Sequence, residues 1–146
     1  MVDEKMVRDY FRDYSAENMK HLAEFFNKGD IDLAIKFAKQ TVNIMPPASR
    51  SVTSKSVPDS IMILGVCAQL LQIKINNLSI NYTSGITEHG VQLSIGEELS
   101  ALKSLMADYK RDFREDLYQY KKAEDFKTAT ASIASPYAKK NNCRRY

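Results

Sequence analysis

The chain has 146 residues, 44% of them apolar and 27% charged, with a net charge of +3. That length holds one domain with a real core and is too short for two ordinary ones. The mild basic balance permits contact with nucleic acid without requiring it, and the two cysteines, Cys67 in an apolar run and Cys143 in a basic tail, suggest neither a disulfide framework nor a metal knuckle.

The opening residues, MVDEKMVRDYF, mix acids and bases with no apolar signal core, so the expectation is a protein used inside a cell. The Asn-Leu-Ser and Asn-Tyr-Thr triplets at Asn77 and Asn81 then have no reason to carry sugar. The most apolar run, 61–73, contains Gln69 and falls short of the roughly 20 residues of a membrane span, so no membrane contact is expected.

Over residues 3–27 the apolar positions Met6, Tyr10, Tyr14, Met19, Leu22, Phe25 and Phe26 recur mostly three or four apart, which predicts a helix with a break near Ser15. Gly29 supplies a stop, and Asp30 is placed to cap a second helix over 31–45. That helix buries Leu33 or Ala34, Phe37, Ala38, Thr41 and Ile44 or Met45. Pro46-Pro47 ends it, because neither proline donates an N–H and each restrains the residue before it. The serine-rich stretch 48–57, ASRSVTSKSV, lacks periodicity and reads as a mobile loop.

Pro58 falls at the start of a third helix whose residues Ile61, Met62, Ile63, Leu64, Val66, Ala68, Leu70, Leu71 and Ile73 leave little polar face. A helix apolar nearly all round is the central one of its fold. In 78–95 the pattern changes: Leu78, Ile80 and Tyr82, then Val91, Leu93 and Ile95, alternate with polar residues across SGITEHG. This spacing predicts a β-hairpin. Two strands alone are marginal in water, so the arm must pack on the helices, join a sheet or pair with another chain.

From Glu97 a helical stripe returns at Leu99, Leu102, Met106, Tyr109, Phe113, Leu117 and Tyr120, with Lys103, Asp108, Lys110, Arg111, Arg114, Glu115, Lys121 and Lys122 on the opposite face, a mixed-sign surface that reads as solvated, with a docking surface as the alternative. After Phe126 the chain becomes small, polar and basic, an extended tail that buries little alone.

Catalytic patterns are missing. His21 and His89 have no second ligand at metal spacing. Asp30 and Asp32 lack the other oxygens of a calcium loop and are explained by helix capping. No phosphate-binding glycine loop or nucleophile elbow is present, and Ser54-Lys55 are mere neighbours in a serine-rich loop. Tyr10, Tyr14, Tyr109 and Tyr120 lie on core stripes before they are stacking platforms. The strongest basic–aromatic cluster is terminal: Tyr137, Lys139, Lys140, Arg144, Arg145 and Tyr146. It reads as a solvated tail, a phosphate contact or an insertion into a neighbouring subunit.

The order of features, Val42-Asn43-Ile44-Met45-Pro46-Pro47 closing a helix, a buried helix, LSINYTSG and GVQLSIGEE leading into a long Tyr-, Phe- and Lys-rich helix, and a closing ASPYAKK, resembles small virion structural proteins of tailed bacteriophages, of the neck, connector or head-completion kind. The likeness spans about 31–140 and is one of layout more than of diagnostic residues; the N-terminal 1–29 exceeds the smallest connector layouts.

The resemblance implies a non-enzymatic, cofactor-free and metal-free subunit that forms a homo-oligomeric ring. Such a ring contacts the portal and other neck and tail proteins, surrounds the DNA channel with non-specific DNA contact, and belongs to a virion assembled in the host cytoplasm. The expected fold is mainly α, a bundle of about four helices over 1–126 with one inserted β-hairpin and an extended C-terminal tail over 127–146. Leu78, Ile80, Tyr82, Val91, Leu93 and Ile95 are then subunit contacts, and the six terminal residues contact neighbours or phosphate. The alternatives are a nucleic-acid-binding or packaging-associated helical module using the basic tail, and a monomeric helical adaptor. An enzyme comes last.

Overall fold

The structure, a computed structural model, describes residues 2–11, 26–49, 51–84 and 89–133. Four helices occur in this part of the chain: α1 (Glu4–Phe11), α2 (Lys28–Ile44), α3 (Asp59–Ser84) and α4 (His89–Ile133). α3 is the central element, packing against both α4 and α2, with α1 lodged against α2 and α3.

The β-hairpin is not present: no strand occurs among the described residues, and 78–84 and 89–95 belong to α3 and α4. The alternation that suggested strands also satisfies a helical rule. Leu71, Ile75, Leu78 and Tyr82 step by four, three and four, and Val91, Ile95, Leu99, Leu102 and Met106 continue the stripe of α4. Both helices already have a buried stretch to extend from, and adding a hydrogen-bonded residue to an existing helix is far easier than nucleating a separate two-stranded pair.

The extended tail is corrected in the same sense. Helix α4 continues to Ile133, so 127–133 is helical, and 134–146 lies outside the described residues.

Helix α1 is held by its ends. The Asp3 carboxylate accepts from the Met6 N–H at 2.9 Å, satisfying one of the free donors of the first turn. Arg8, 7% exposed, ion-pairs with Glu4 at 3.0 Å and donates to the Phe26 carbonyl oxygen at 3.2 Å. Phe11 packs on Phe26 with ring centroids 5.2 Å apart, and Tyr10 and Phe11 meet Tyr109 of α4 at 6.2 and 6.5 Å. Residues 12–25 of the expected first helix lie outside the described residues.

Helix α2 starts three residues earlier than its glycine suggested. Asn27, not Asp30, is the cap: its side-chain oxygen accepts from the Asp30 N–H at 2.8 Å, which leaves Gly29 inside the first turn. The buried face is Ile31, Ala34, Ile35, Ala38 and Val42. Of the expected face Ala34 and Ala38 are buried, whereas Leu33, Phe37 and Ile44 are exposed.

On α3 the buried side chains are Met62, Ile63, Val66, Cys67, Ala68, Leu70, Leu71 and Ile75. By length and composition Asp59–Ile80 is apolar enough to cross a membrane, and half of that stretch is buried inside the molecule. Its apolar residues form the core with α2 and with Phe113 and Leu117 of α4. At Gly65 the helices approach most closely: a Cβ there would sit 2.8 Å from the Phe113 ring.

Since residues 85–88 join α3 directly to α4 and Gly65 faces Phe113, the two helices are antiparallel. At about 1.5 Å per residue α3 is about 39 Å long and α4 about 67 Å. The core ends before the helices do. Past Ile75, the last buried residue among the described side chains of α3, Asn76 and Asn77 are exposed and Ile80 is 64% exposed. On α4, residues 96–98 are exposed too. The last turns of α3 and the first of α4 therefore form a two-helix arm beyond the bundle.

Candidate functional site

Two regions remain once the core is removed, the arm and the opposite end of α4. Of the residues expected in a hairpin interface, Leu78 is half-buried and Ile80 exposed on α3. Tyr82 belongs to the same helix, and Val91, Leu93 and Ile95 to α4. The six share one arm on either side of 85–88, as helical residues rather than facing strands. Tyr137, Lys139, Lys140, Arg144, Arg145 and Tyr146 lie outside the described residues.

At the other end, α4 runs past the start of α3 and captures the serine-rich loop. Lys121, read from the sequence as solvated, is 1% exposed. Its Nζ donates to the carbonyl oxygens of Val42 at 2.6 Å, Met45 at 2.5 Å and Pro47 at 3.3 Å. The Asp125 carboxylate accepts from the hydroxyls of Ser49 at 2.6 Å and Ser51 at 2.9 Å, and the Tyr120 hydroxyl donates to the Ser56 carbonyl oxygen at 2.7 Å. Val52 and Val57 are buried beneath. The loop expected to be mobile is thus fastened at both ends by one face of α4.

A signal for this existed in the sequence. Lys121 lies one turn after Leu117 and beside Tyr120, so it continues the apolar stripe, and a lysine there must bring its ammonium to buried acceptors.

The polar groups with the firmest geometry therefore hold the chain together. Burial lowers the Lys121 ammonium from its ordinary value, opposed by the Asp125 carboxylate. Burial pushes the Cys67 thiol up to about 12, far from the thiolate needed for nucleophilic or metal chemistry. Among the described residues no three His, Cys, Asp or Glu side chains converge to hold a metal.

The exposed face of α4 is mixed in sign. Arg111 pairs with Asp108 and Asp112, both at 3.2 Å, and Lys127 with Glu124 at 2.6 Å. Such solvated pairs add little stability, but they neutralise the cations they hold.

Comparison with protein-family models, with curated proteins and with solved structures found no match to this chain.

Proposed function

We propose that this protein is a non-enzymatic structural subunit of a larger particle, and within that class a ring-forming head–tail connector or neck subunit of a tailed bacteriophage. The observation that supports the assembly reading is the two-helix arm. Helices normally stop where their burial stops, because isolated helical turns gain little in water; here α3 and α4 both continue past Ile75 with Ile80 64% exposed. An extension of that kind gains its stability from a neighbour.

The polar network of Lys121, Asp125 and Tyr120 supports the non-catalytic part, since its donors and acceptors are engaged in fastening 47–56. The connector form rests on the resemblance in layout. Its α2, Pro46-Pro47, buried α3 and long α4 stand in that order, with a helical arm in the place of the hairpin. Around a ring, each weak contact is repeated and closed on itself.

Sedimentation velocity on the full chain, alone and with the portal ring from the same source, tests this reading. Discrete ring-sized species, or co-sedimentation with the portal, are expected. A chain that stays monomeric and apart from the portal across the micromolar range would overturn it.

A further inference from the structure

Helices α2 and α4 both rest on α3, and where the three meet there is a cleft of about 140 Å³. The floor is made of small and polar residues, Gly65, Ala68 and Gln69, and the walls are Met45 at the C-terminal cap of α2 with Met106 and Phe113 of α4. A space of this size, close to the roughly 150 Å³ of an apolar cavity that takes a benzene ring, admits one large apolar side chain. Methionine on two facing walls suits a site that adjusts to its occupant, since an unbranched thioether repacks at low cost.

The rim is charged in one sense. Lys110 and Arg114, one turn apart on α4, are exposed at the cleft, and neither has an ion-pair partner among the described residues. Arg111 between them is held by Asp108 and Asp112, so these two cations were left over while their neighbour was neutralised. No acid lines the cleft. Carboxylates enter only where the cleft widens past Arg114 and Pro46, at Glu115 and Asp116.

We propose that this cleft binds an acidic peptide segment of a partner protein, one large apolar side chain entering between Met45 and Met106 while flanking carboxylates pair with Lys110 and Arg114. Charge complementarity selects the acidic flank, and the apolar walls of Met45, Met106 and Phe113 suit an apolar side chain. Glu115 and Asp116 at the wide end repel a continuous phosphate backbone, which argues for a protein segment over nucleic acid. The site lies on the bundle, away from the arm, and does not depend on ring formation.

The test uses the full chain as bait for a displayed library of random peptides, with a single-stranded DNA oligonucleotide as a second probe. Selected peptides are expected to combine one Phe, Leu or Met with neighbouring Asp or Glu, and to shift the methyl resonances of Met45, Ala68 and Met106. The exposed double variant Lys110→Glu/Arg114→Glu, checked for native circular dichroism, should bind them roughly tenfold more weakly or worse. The proposal is overturned by a library without binders, by binders indifferent to the charge reversal, or by methyl shifts confined elsewhere. Tighter binding of the oligonucleotide with the same charge dependence, or self-association of the chain abolished by the double variant, would each assign the cleft to a different occupant and overturn it as well.

Discussion

The ammonium of Lys121 caps the C-terminus of α2 by donating to the Val42 carbonyl oxygen at 2.6 Å, with the Met45 oxygen at 2.5 Å as its second acceptor. The last carbonyls of a helix have no partner within it and carry the negative end of the helix dipole. A cation buried there satisfies them and joins α2 to α4, two helices that otherwise meet mainly through α3. Lys121→Met keeps the unbranched apolar stem as far as Cε and removes the donor. It should lower unfolding free energy by about 2–4 kcal/mol, the cost of orphaned buried acceptors, as measured by urea denaturation. Amide exchange should quicken in 49–57; a variant as stable as the parent would show that the cap contributes nothing.

Gly65 and Phe113 set the distance between α3 and α4. Alanine is ordinarily preferred over glycine inside a helix by about 1 kcal/mol. Here its Cβ would meet the Phe113 ring at 2.8 Å, and Phe113 is 3% exposed with little room to give way. Gly65→Ala should therefore destabilise, by about 1–3 kcal/mol, and combining it with Phe113→Leu should recover part of the loss. Thermal melts of the two single variants and the double variant measure the coupling, and strict additivity would refute the contact.

Burial of Cys67 makes stability depend on pH at the alkaline end. Its thiol titrates near 12 in the folded chain against an ordinary 9.0, so the folded state keeps a proton that the unfolded state gives up. The stabilisation is fully present below pH 9.0 and is lost as pH rises toward about 12, with a slope of about 1.4 kcal/mol per pH unit for one group. Tyr109 is raised as well, by burial first and by the Tyr10 hydroxyl second. Lys121, lowered by burial, works in the opposite sense. The difference between parent and Cys67→Ala isolates the thiol: the variant starts less stable, from its cavity, and should lose less between those pH values in urea titrations. Parallel curves would place the thiol in contact with water.

The helical frame could be read from spacing because Phe113, Leu117, Ile63, Val66 and Leu70 recur on stripes that the core does bury. The arm could not. With Leu78, Ile80 and Tyr82 two apart and asparagine, serine and threonine between them, the local pattern fits a strand and a helix alike. The choice was made by the buried turns that precede it on α3. The face of helix α2 was legible only in part for a related reason: Ala34 and Ala38 are buried as expected, but Leu33, Phe37 and Ile44 form as good a helical stripe as Ile31, Ala34, Ala38 and Val42, and only the packing on α3 decides between them. The loop was legible as a loop, but its fastening was not, since Ser49 to Asp125 is a contact across 76 positions that no local pattern carries.

Ile80 separates the proposed assembly role from the fold. It stands on α3 one turn past Ile75 and is 64% exposed, so Ile80→Asp removes apolar surface without opening a cavity. Substitutions at such positions usually change stability within about 0.5 kcal/mol. Leu70, 0% exposed, is the control on the same helix, where Leu70→Ala should cost about 2–5 kcal/mol through lost burial and the void left behind. If the arm is completed by another subunit, Ile80→Asp should melt like the parent yet shift sedimentation toward the monomer or abolish co-sedimentation with the portal ring. Leu70→Ala should lower the melting temperature first and lose assembly as the chain unfolds. An Ile80→Asp chain that unfolds as readily as Leu70→Ala would place the arm's apolar residues in this molecule's own core, and one that assembles like the parent would remove Ile80 from the interface.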